Sequence, residues 1–456
     1  MRIISVVAVD ESGGIARAGK IPWFCAEDLQ HFKNLTTGHI VVMGRKTFTR
    51  VLPNRLNCII TKSDSYNTPD SVLTFDDPLK CVLYCAEKYP DKTMFVIGGA
   101  EIYKWFVLNN LLHEEYITGI PGDYKCDQFY TFSSGDAKER LICLDTVNIK
   151  HITHHNQEER AVLNLMDRVL RSGVHKSDRT MTGTVSLFGH QLRFSLKNNK
   201  FPLMTSRRMF LRGIFEELML FCRGQTDSKI LEKRGVAVWQ PNTTRAFLDS
   251  RGLQHYREGD MGHTYGFSMR HFGASYRGCG ADYDQCGYDQ LSELVNEIKT
   301  NPDSRRLMIS LWEPNKIKEA SLPPCLYNYQ FYVADGELSC MMTQRSSDLF
   351  TAAGWNTATG ALFTILLAHI TGLKPSELIW NIGDAHVYSN LLEQQLEQLQ
   401  REPYHYPYLV LVNSENVTDI CDFQYENLKL IGYECHPAIK TIINAWPDLF
   451  FCKLVK

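Results

Sequence analysis

Cys325 stands directly behind two prolines in SLPPCLYNYQFYV. Proline fixes its own backbone angle and restricts the residue before it, so the thiol is held in one pose at the mouth of the apolar run that follows. Such a cysteine is a candidate nucleophile if positive charge or hydrogen bonding favours its thiolate. Arg345 in QRSSD and the pair Arg305 and Arg306 in DSRRLMIS can supply that charge, while Cys340, inside a later strand, reads as structural. In FLRGIFEELMLFC, Arg212 and Glu216 are four apart and pair at a helix surface, whereas Glu217 falls on the apolar side with Gly213 and Phe221. A carboxylate turned toward a core needs a partner or a chemical role. Asp384, His386 and Tyr388 in NIGDAHVYSN suggest a cysteine–histidine–aspartate hydrolase, a reading that leaves the arginines unexplained.

A second set lies in the first third of the chain. In IPWFCAEDLQHFKNLT the Pro-Trp dipeptide leads into a helix on which Asp28 and Phe32 share a face and Glu27 is turned away. Asp28 can accept two hydrogen bonds from an amidine-like ring edge, or it is an exposed acid favoured by the helix dipole. HIVVMGRKTF sets Gly44, Arg45, Lys46 and Thr47 after a strand, and FVIGGAEIY sets Gly98 and Gly99 between a strand and a helix. Bare backbone amides at such points can approach a pyrophosphate and Arg45 can fork a phosphate, although neither segment has the GxGxxG spacing and both read equally as ordinary turns.

Elements must position these groups. Residues 1 to about 150 alternate short β-branched runs with helical stretches, which predicts a wound α/β sheet. The polar KHITHHNQEE stretch reads as a solvated linker, and the next helix, VLNLMDRVLRSG, stops at Gly173. Long apolar helices and aromatic strands follow, with a hairpin turning at Asp335 and Gly336. Two domains are expected, residues 1–157 and 158–456, within the two to four that 456 residues allow. A composition of 44% hydrophobic and 22% charged residues excludes a mainly disordered or fibrous chain. Forty-nine basic and fifty-one acidic residues leave no global field to draw the chain onto nucleic acid or an anionic membrane. Fourteen cysteines without a CxxC pair predict no disulfide framework and no metal site. The first apolar run is stopped by Asp10 and Glu11, and the longest, around Ala361 to Leu373, contains His369 and is too short to span a membrane. A cytoplasmic protein is expected.

Read in order, AVDESGGIARAGKIPW, the segment bearing Asp28, VVMGRKTF, LPNRLNCIIT, FVIGGAEIY, YITGI and CDQFYTF resemble dihydrofolate reductase over residues 1 to about 132. The resemblance implies that Asp28 binds the pterin, Phe32 walls the folate pocket, Arg55 meets the glutamate-tail carboxylate, Trp23 belongs to the loop over the nicotinamide and Thr118 hydrogen-bonds Asp28. It implies an NADPH site at Ala8, Ile15, Gly44, Arg45, Lys46, Thr47, Thr61, Lys62, Gly98, Gly99, Ala100 and Tyr103, with Arg45 and Lys62 favouring the extra phosphate. Ala16 stands where the family usually has glycine, and one clear strand, LICLDTVNIK, is expected after CDQFYTF.

From about Val162 to Ile443 the chain is similar to thymidylate synthase, through HKSDRTMTGTVSLFGHQLRF, FPLMTSRR, FEELMLF, VWQPN, HTYGFSMR, NPDSRRLMIS, PPC, QRSSD, WNTATGALF, GDAHVY and HPAIK. This implies that Cys325 attacks the 6-carbon of dUMP, and that the 5-carbon of the resulting enolate attacks 5,10-methylenetetrahydrofolate. Arg179, Arg345 and Ser346, with Arg305 and Arg306 from a second copy, would hold the phosphate. Asn356 would read the uracil edge and His386 and Tyr388 the sugar hydroxyl, with Gln344 and Asp348 also among the dUMP-binding residues, while Glu217 and Tyr265 organise water and Trp239 and Asp348 contact folate. A homodimer through the synthase half is implied. Leu326, Thr343, Ser347, Ala352 and Gly360 depart from the family's usual residues, and the tail INAWPDLFFCKLVK replaces its short apolar end. Two readings follow: a bifunctional oxidoreductase and methyltransferase, or an active reductase fused to a weakened synthase that binds nucleotide or RNA.

Overall fold

The computed structural model describes residues 1–63, 68–133, 137–177 and 182–440, so Arg179 and the tail beyond residue 440 lie outside the described residues. The chain divides into two compact units, Met1–Gln157 and Glu158–Lys456.

The first unit is a wound α/β sheet of eight strands. Their spatial order is Val72–Phe75, Leu56–Ile60, Ile40–Gly44, Met94–Val96, Ile3–Val9, Glu114–Gly119, Asn148–His154 and Ala137–Cys143. The first six run parallel, and the last two add antiparallel pairings. Parallel strands covered on both faces read as continuous apolar runs, and Ile40, Val41 and Val42 are fully buried. Helices Ala26–Thr36, Pro78–Lys88 and Ala100–Leu108 are the crossovers. Because the chain leaves its central Ile3–Val9 strand toward both sides, the carboxyl ends of Val9, Gly44, Ile60, Val96 and Gly119 line one edge, the place where wound sheets take ligands.

Two expectations fail here. KHITHH is no solvated linker: His151 and His154 belong to the Asn148–His154 strand, between two other strands, and only His155 lies beyond its end. His151 Nε2 lies 2.7 Å from Glu114 Oε2, His154 Nε2 2.7 Å from Glu115 Oε1, and the His151 ring stacks on Tyr116. Polarity misleads because the acids that match the histidines lie on the neighbouring strand. LICLDTVNIK likewise contributes to two antiparallel strands, turning where Leu144 N donates to Val147 O.

The second unit is an α+β fold on a six-stranded sheet. Its order is Val174–Lys176, Thr184–Ser195, Lys374–Tyr388, Glu337–Asp348, Leu326–Ala334 and Met308–Ser310. The hairpin turns at Asp335 and Gly336, both with positive φ (52° and 73°), the conformation an Asp-Gly pair adopts at least cost. Helices Leu211–Cys222 and Ala353–Thr371 form the core with the sheet. Every residue of Leu211–Cys222 except Arg212 is buried, so Glu216 is not a surface acid; it pairs with Arg234 as well as with Arg212. Glu159, in the first turn of Gln157–Ser172, accepts from Thr205 N and Oγ1 and from Ser206 N, and burial still holds its carboxyl above the ordinary range. No helix among the described residues is long and apolar enough to cross a membrane.

Asp10 locks the loop after the central strand of the first unit. It is buried and accepts from Ser12 N (3.0 Å), Ser12 Oγ (2.8 Å), Gly14 N (2.8 Å) and Tyr124 N (3.2 Å). Burial favours the neutral acid, but these bonds prevail and lower its pKa from 3.8 to about 2. A depressed carboxyl stabilises the fold fully above its unfolded pKa and loses that contribution as pH falls through the folded one. Asp10→Asn is therefore expected to cost the first unit about 2 kcal/mol at neutral pH, with the difference from the unaltered chain shrinking in melts taken from pH 4 toward about 2.

Candidate active sites

In the first unit Asp28 is the third residue of its helix, its amide donating to Cys25 Sγ at 3.5 Å. Burial, with the Asp28 charge adding to it, holds the Tyr103 hydroxyl above its ordinary range. Tyr103 is buried and donates to Val6 O at 2.7 Å, so its ring is the part left to line a site. Phe32 packs against the core cluster of Ile4, Val6, Val41, Met43 and Phe95, and the Arg55 guanidinium lies 5.7 Å from its ring centroid. Arg55 donates to Thr36 Oγ1, Pro53 O and Lys33 O, which leaves two of a guanidinium's five N–H groups for a carboxylate. Trp23 meets Tyr124 edge-on at 5.2 Å.

The expected Thr118–Asp28 hydrogen bond is not formed. Thr118 is buried in the sheet, paired with Ala8 on one side and Ile149 on the other, and its Oγ1 has no partner among the described residues. A buried hydroxyl left so costs about 1–3 kcal/mol, which a ligand's polar edge can recover.

Ala8, Gly44, Arg45, Lys46, Thr47, Thr61, Lys62, Gly98, Gly99 and Ala100 lie at or just beyond the carboxyl ends of the strands, with Ile15 buried in the short Gly14–Ala16 strand. Gly44 N donates to Gly98 O, which ties two of these ends together. Gly98 has φ +119°, and a Cβ there would sit 3.3 Å from the Tyr103 ring; one at Gly99 would sit 3.2 Å from Thr47 Oγ1. The cradle thus admits backbone where side chains would crowd it. Gly99 caps Ala100–Leu108 without a side-chain hydrogen bond, leaving a helix start suited to a diphosphate. Arg45, Lys46 and Thr47 are exposed in a turn, not a helix, and Lys62 is exposed.

In the second unit a cavity of about 510 Å³ is lined by Cys325, Glu217, Tyr265, Trp239, Gln344, Arg345, Ser346, Asp348, Asn356, His386 and Tyr388. Cys325 immediately precedes the Leu326–Ala334 strand. Arg345 fastens the segment before it: Nε donates to Pro324 O (2.9 Å), Nη2 to Pro323 O (3.2 Å), and the amide to Cys325 O (2.8 Å). Arg345 Nη2 and Ser346 Oγ lie 3.7 and 3.9 Å from Cys325 Sγ, and Cys325 N donates to Tyr265 OH at 2.8 Å.

Glu217 is buried between two indoles. Trp239 Nε1 donates to one carboxylate oxygen at 2.7 Å and Trp355 Nε1 to the other at 2.6 Å. Burial outweighs both donors and holds its carboxyl above the ordinary range, which suits a group that must carry a proton. Burial raises Tyr265 also, with the nearby Cys325 and Glu217 adding to it. Asp348 is held by Phe350 N (3.0 Å) and by Thr351 Oγ1, and Gln344 Oε1 accepts from Trp380 Nε1 at 2.8 Å.

Burial works against a charged His386, but the bond to Asp384, at 3.3 Å, prevails and raises its pKa; the same bond lowers Asp384. No hydrogen bond joins His386 to Cys325 among the described residues, so the hydrolase triad is not assembled. Arg305 and Arg306 are exposed and do not line the cavity. Trp355 was missed by sequence reasoning; an indole at a helix start beside polar residues, needing a partner for its N–H, was the available signal.

Residues 2–139 match the dihydrofolate reductase family model and residues 160–445 the thymidylate synthase model. The chain is 38% identical over 457 residues to a bifunctional dihydrofolate reductase-thymidylate synthase of Paramecium tetraurelia, covering 95% of this chain and 97% of that one. It is 38% identical to the protein of that name from Leishmania major, covering 95% and 94%, and 35% identical to that from Zea mays, covering 95% of each.

Arg345 brings both geometry and charge to the thiol. Replacing it by glutamine is expected to slow alkylation of Cys325 by iodoacetamide about tenfold, the worth of one charge-assisted hydrogen bond. Peptide mapping of the labelled cysteine measures this, and an unchanged rate would separate Arg345 from the nucleophile.

Proposed function

The chain belongs to the bifunctional dihydrofolate reductase–thymidylate synthase family, and on that premise we propose a role for each residue of its two sites. The first half reduces dihydrofolate to tetrahydrofolate and the second methylates dUMP to dTMP. NADPH supplies the hydride for the first reaction, and 5,10-methylenetetrahydrofolate supplies both methylene and hydride for the second. No observation favours a synthase half that only binds nucleotide or RNA.

In the reductase half Asp28 binds and helps protonate the pterin, and Thr118 gives the ligand its otherwise unmatched hydroxyl. Phe32, Trp23 and Arg55 hold the rest of the folate. Gly98, Gly99 and Ala100 bind the cofactor's diphosphate with Gly44 and Thr47, and Ala8, Ile15 and Tyr103 border its nicotinamide side. Arg45, Lys46, Thr61 and Lys62 face the remaining phosphate.

In the synthase half Cys325 Sγ adds to the 6-carbon of dUMP, breaking the ring double bond and leaving an enolate. The observation that carries this reading is the thiol seated beside Arg345 and Ser346 in a cavity that also holds Glu217. Arg345, Ser346 and Arg179 bind the phosphate. Asn356, Gln344 and Asp348 meet the base, and His386 and Tyr388 the sugar hydroxyl. Glu217 and Tyr265 move protons through ordered water, while Trp239 and Asp348 border the folate. Arg305 and Arg306 are exposed and away from the cavity, which supports their serving a second copy's phosphate site in a homodimer. The protein works in the cytoplasm.

Cys325→Ala is expected to abolish dTMP formation while NADPH oxidation by dihydrofolate continues. Glu217→Gln is expected to lower kcat for dTMP formation by about 10²-fold or more. If the arginines act across a dimer, mixing Cys325→Ala with the double variant Arg305→Ala, Arg306→Ala restores synthase activity, because one site of the hybrid has every group intact. A mixture as inactive as its parents would overturn that arrangement.

A further inference from the structure

Cys58, in the Leu56–Ile60 strand, faces Cys81 and Cys85 of the Pro78–Lys88 helix, and all three are fully buried. Their sulfurs lie within 4.8 Å of one another, with Cys58 and Cys85 at 3.8 Å. The local patterns account for this meeting. Residues four apart share a helix face, and the helix packs on the strand carrying Cys58. Neither catalytic site uses any of the three.

Bonds of about 2.3 Å from one atom put three sulfurs about 3.3–4 Å apart, the short end of that range when a lone pair lifts the atom out of their plane, so three sulfurs this close need only a small approach to share one atom. Charge selects the ion. Three thiolates contribute three negative charges, all three residues are withdrawn from solvent, and the hydrogen-bond partner found for Cys58 Sγ is another sulfur, that of Cys85. A monovalent or divalent ion would leave net negative charge in apolar surroundings, which is heavily penalised, and zinc would in addition want a fourth ligand that the group does not supply. A trivalent ion leaves none.

We propose that Cys58, Cys81 and Cys85 form a three-thiol site for one trivalent thiophilic ion of the arsenite or antimonite class. With arsenite the reaction is an exchange without redox. Three S–H and three As–O bonds break, three As–S and three O–H bonds form, and three waters leave a neutral adduct. The bound ion staples the helix to the strand that runs directly into Thr61 and Lys62.

The test uses the full-length reduced protein and sodium arsenite. Native mass spectrometry is expected to find one arsenic per chain with the loss of three hydrogens, and arsenic X-ray absorption three sulfur neighbours and no oxygen. Cys81→Ala and Cys85→Ala, each first checked for cooperative melting without arsenite, are expected to lose the bound arsenic, and Cys143→Ser, an exposed cysteine, to keep it. No uptake by the unaltered chain, arsenic on two sulfurs or fewer, or displacement by equimolar zinc or copper(I) would each overturn the proposal without relying on any variant.

Discussion

Glu217 loses its water when the Leu211–Cys222 helix packs, and the indole N–H groups of Trp239 and Trp355 replace it. A buried carboxylate without such partners would either drive its helix outward or stay permanently protonated. Two donors, one per oxygen, leave it in between: desolvated enough to hold a proton more readily, yet stabilised enough to give it up. Both indoles also border the cavity. The requirement that keeps the core intact is therefore the one that tunes the site, and neither tryptophan can change without touching both.

The same constraint recurs. Asp10 gathers amides from Gly14 and Tyr124, and Glu115 is met by Tyr130 and His154. Glu159 gathers Thr205 and Ser206. Each is an acid withdrawn from solvent and satisfied by partners on other elements, so each pins a loop or strand end that apolar packing alone would leave free to slide. The environments decide the outcome. Bonds prevail at Asp10 and Glu115, and burial prevails at Glu159 and Glu217.

Much of the synthase site could be read from local sequence. Pro323–Pro324–Cys325 announces a constrained thiol, and helical phase alone turns Glu217 inward. What was hidden is pairing across distance: Trp355 reaches Glu217 from 138 positions away. In the reductase half the glycine turns and the acid-bearing helix were readable, because they depend on neighbours in sequence. His151 and His154 of KHITHH read as solvated because Glu114 and Glu115, which complete them, come from an earlier strand. The bond expected between Thr118 and Asp28 is absent, because Thr118 Oγ1 finds no partner among the described residues. The Cys81 and Cys85 spacing was visible as a shared helix face, but Cys58 joins them only once the sheet is wound.

The last strand of the first unit ends at His154, and the helix that opens the second begins at Gln157. His154 still bonds Glu115, and Glu159 already holds Thr205 and Ser206. Two residues separate strand from helix, and four separate these two commitments. Insertions and deletions, which accumulate freely in disposable tethers, here fall on a strand's last partner or a helix's first turn. The two halves therefore cannot be parted at this junction without remaking a strand's end for one and a helix's start for the other.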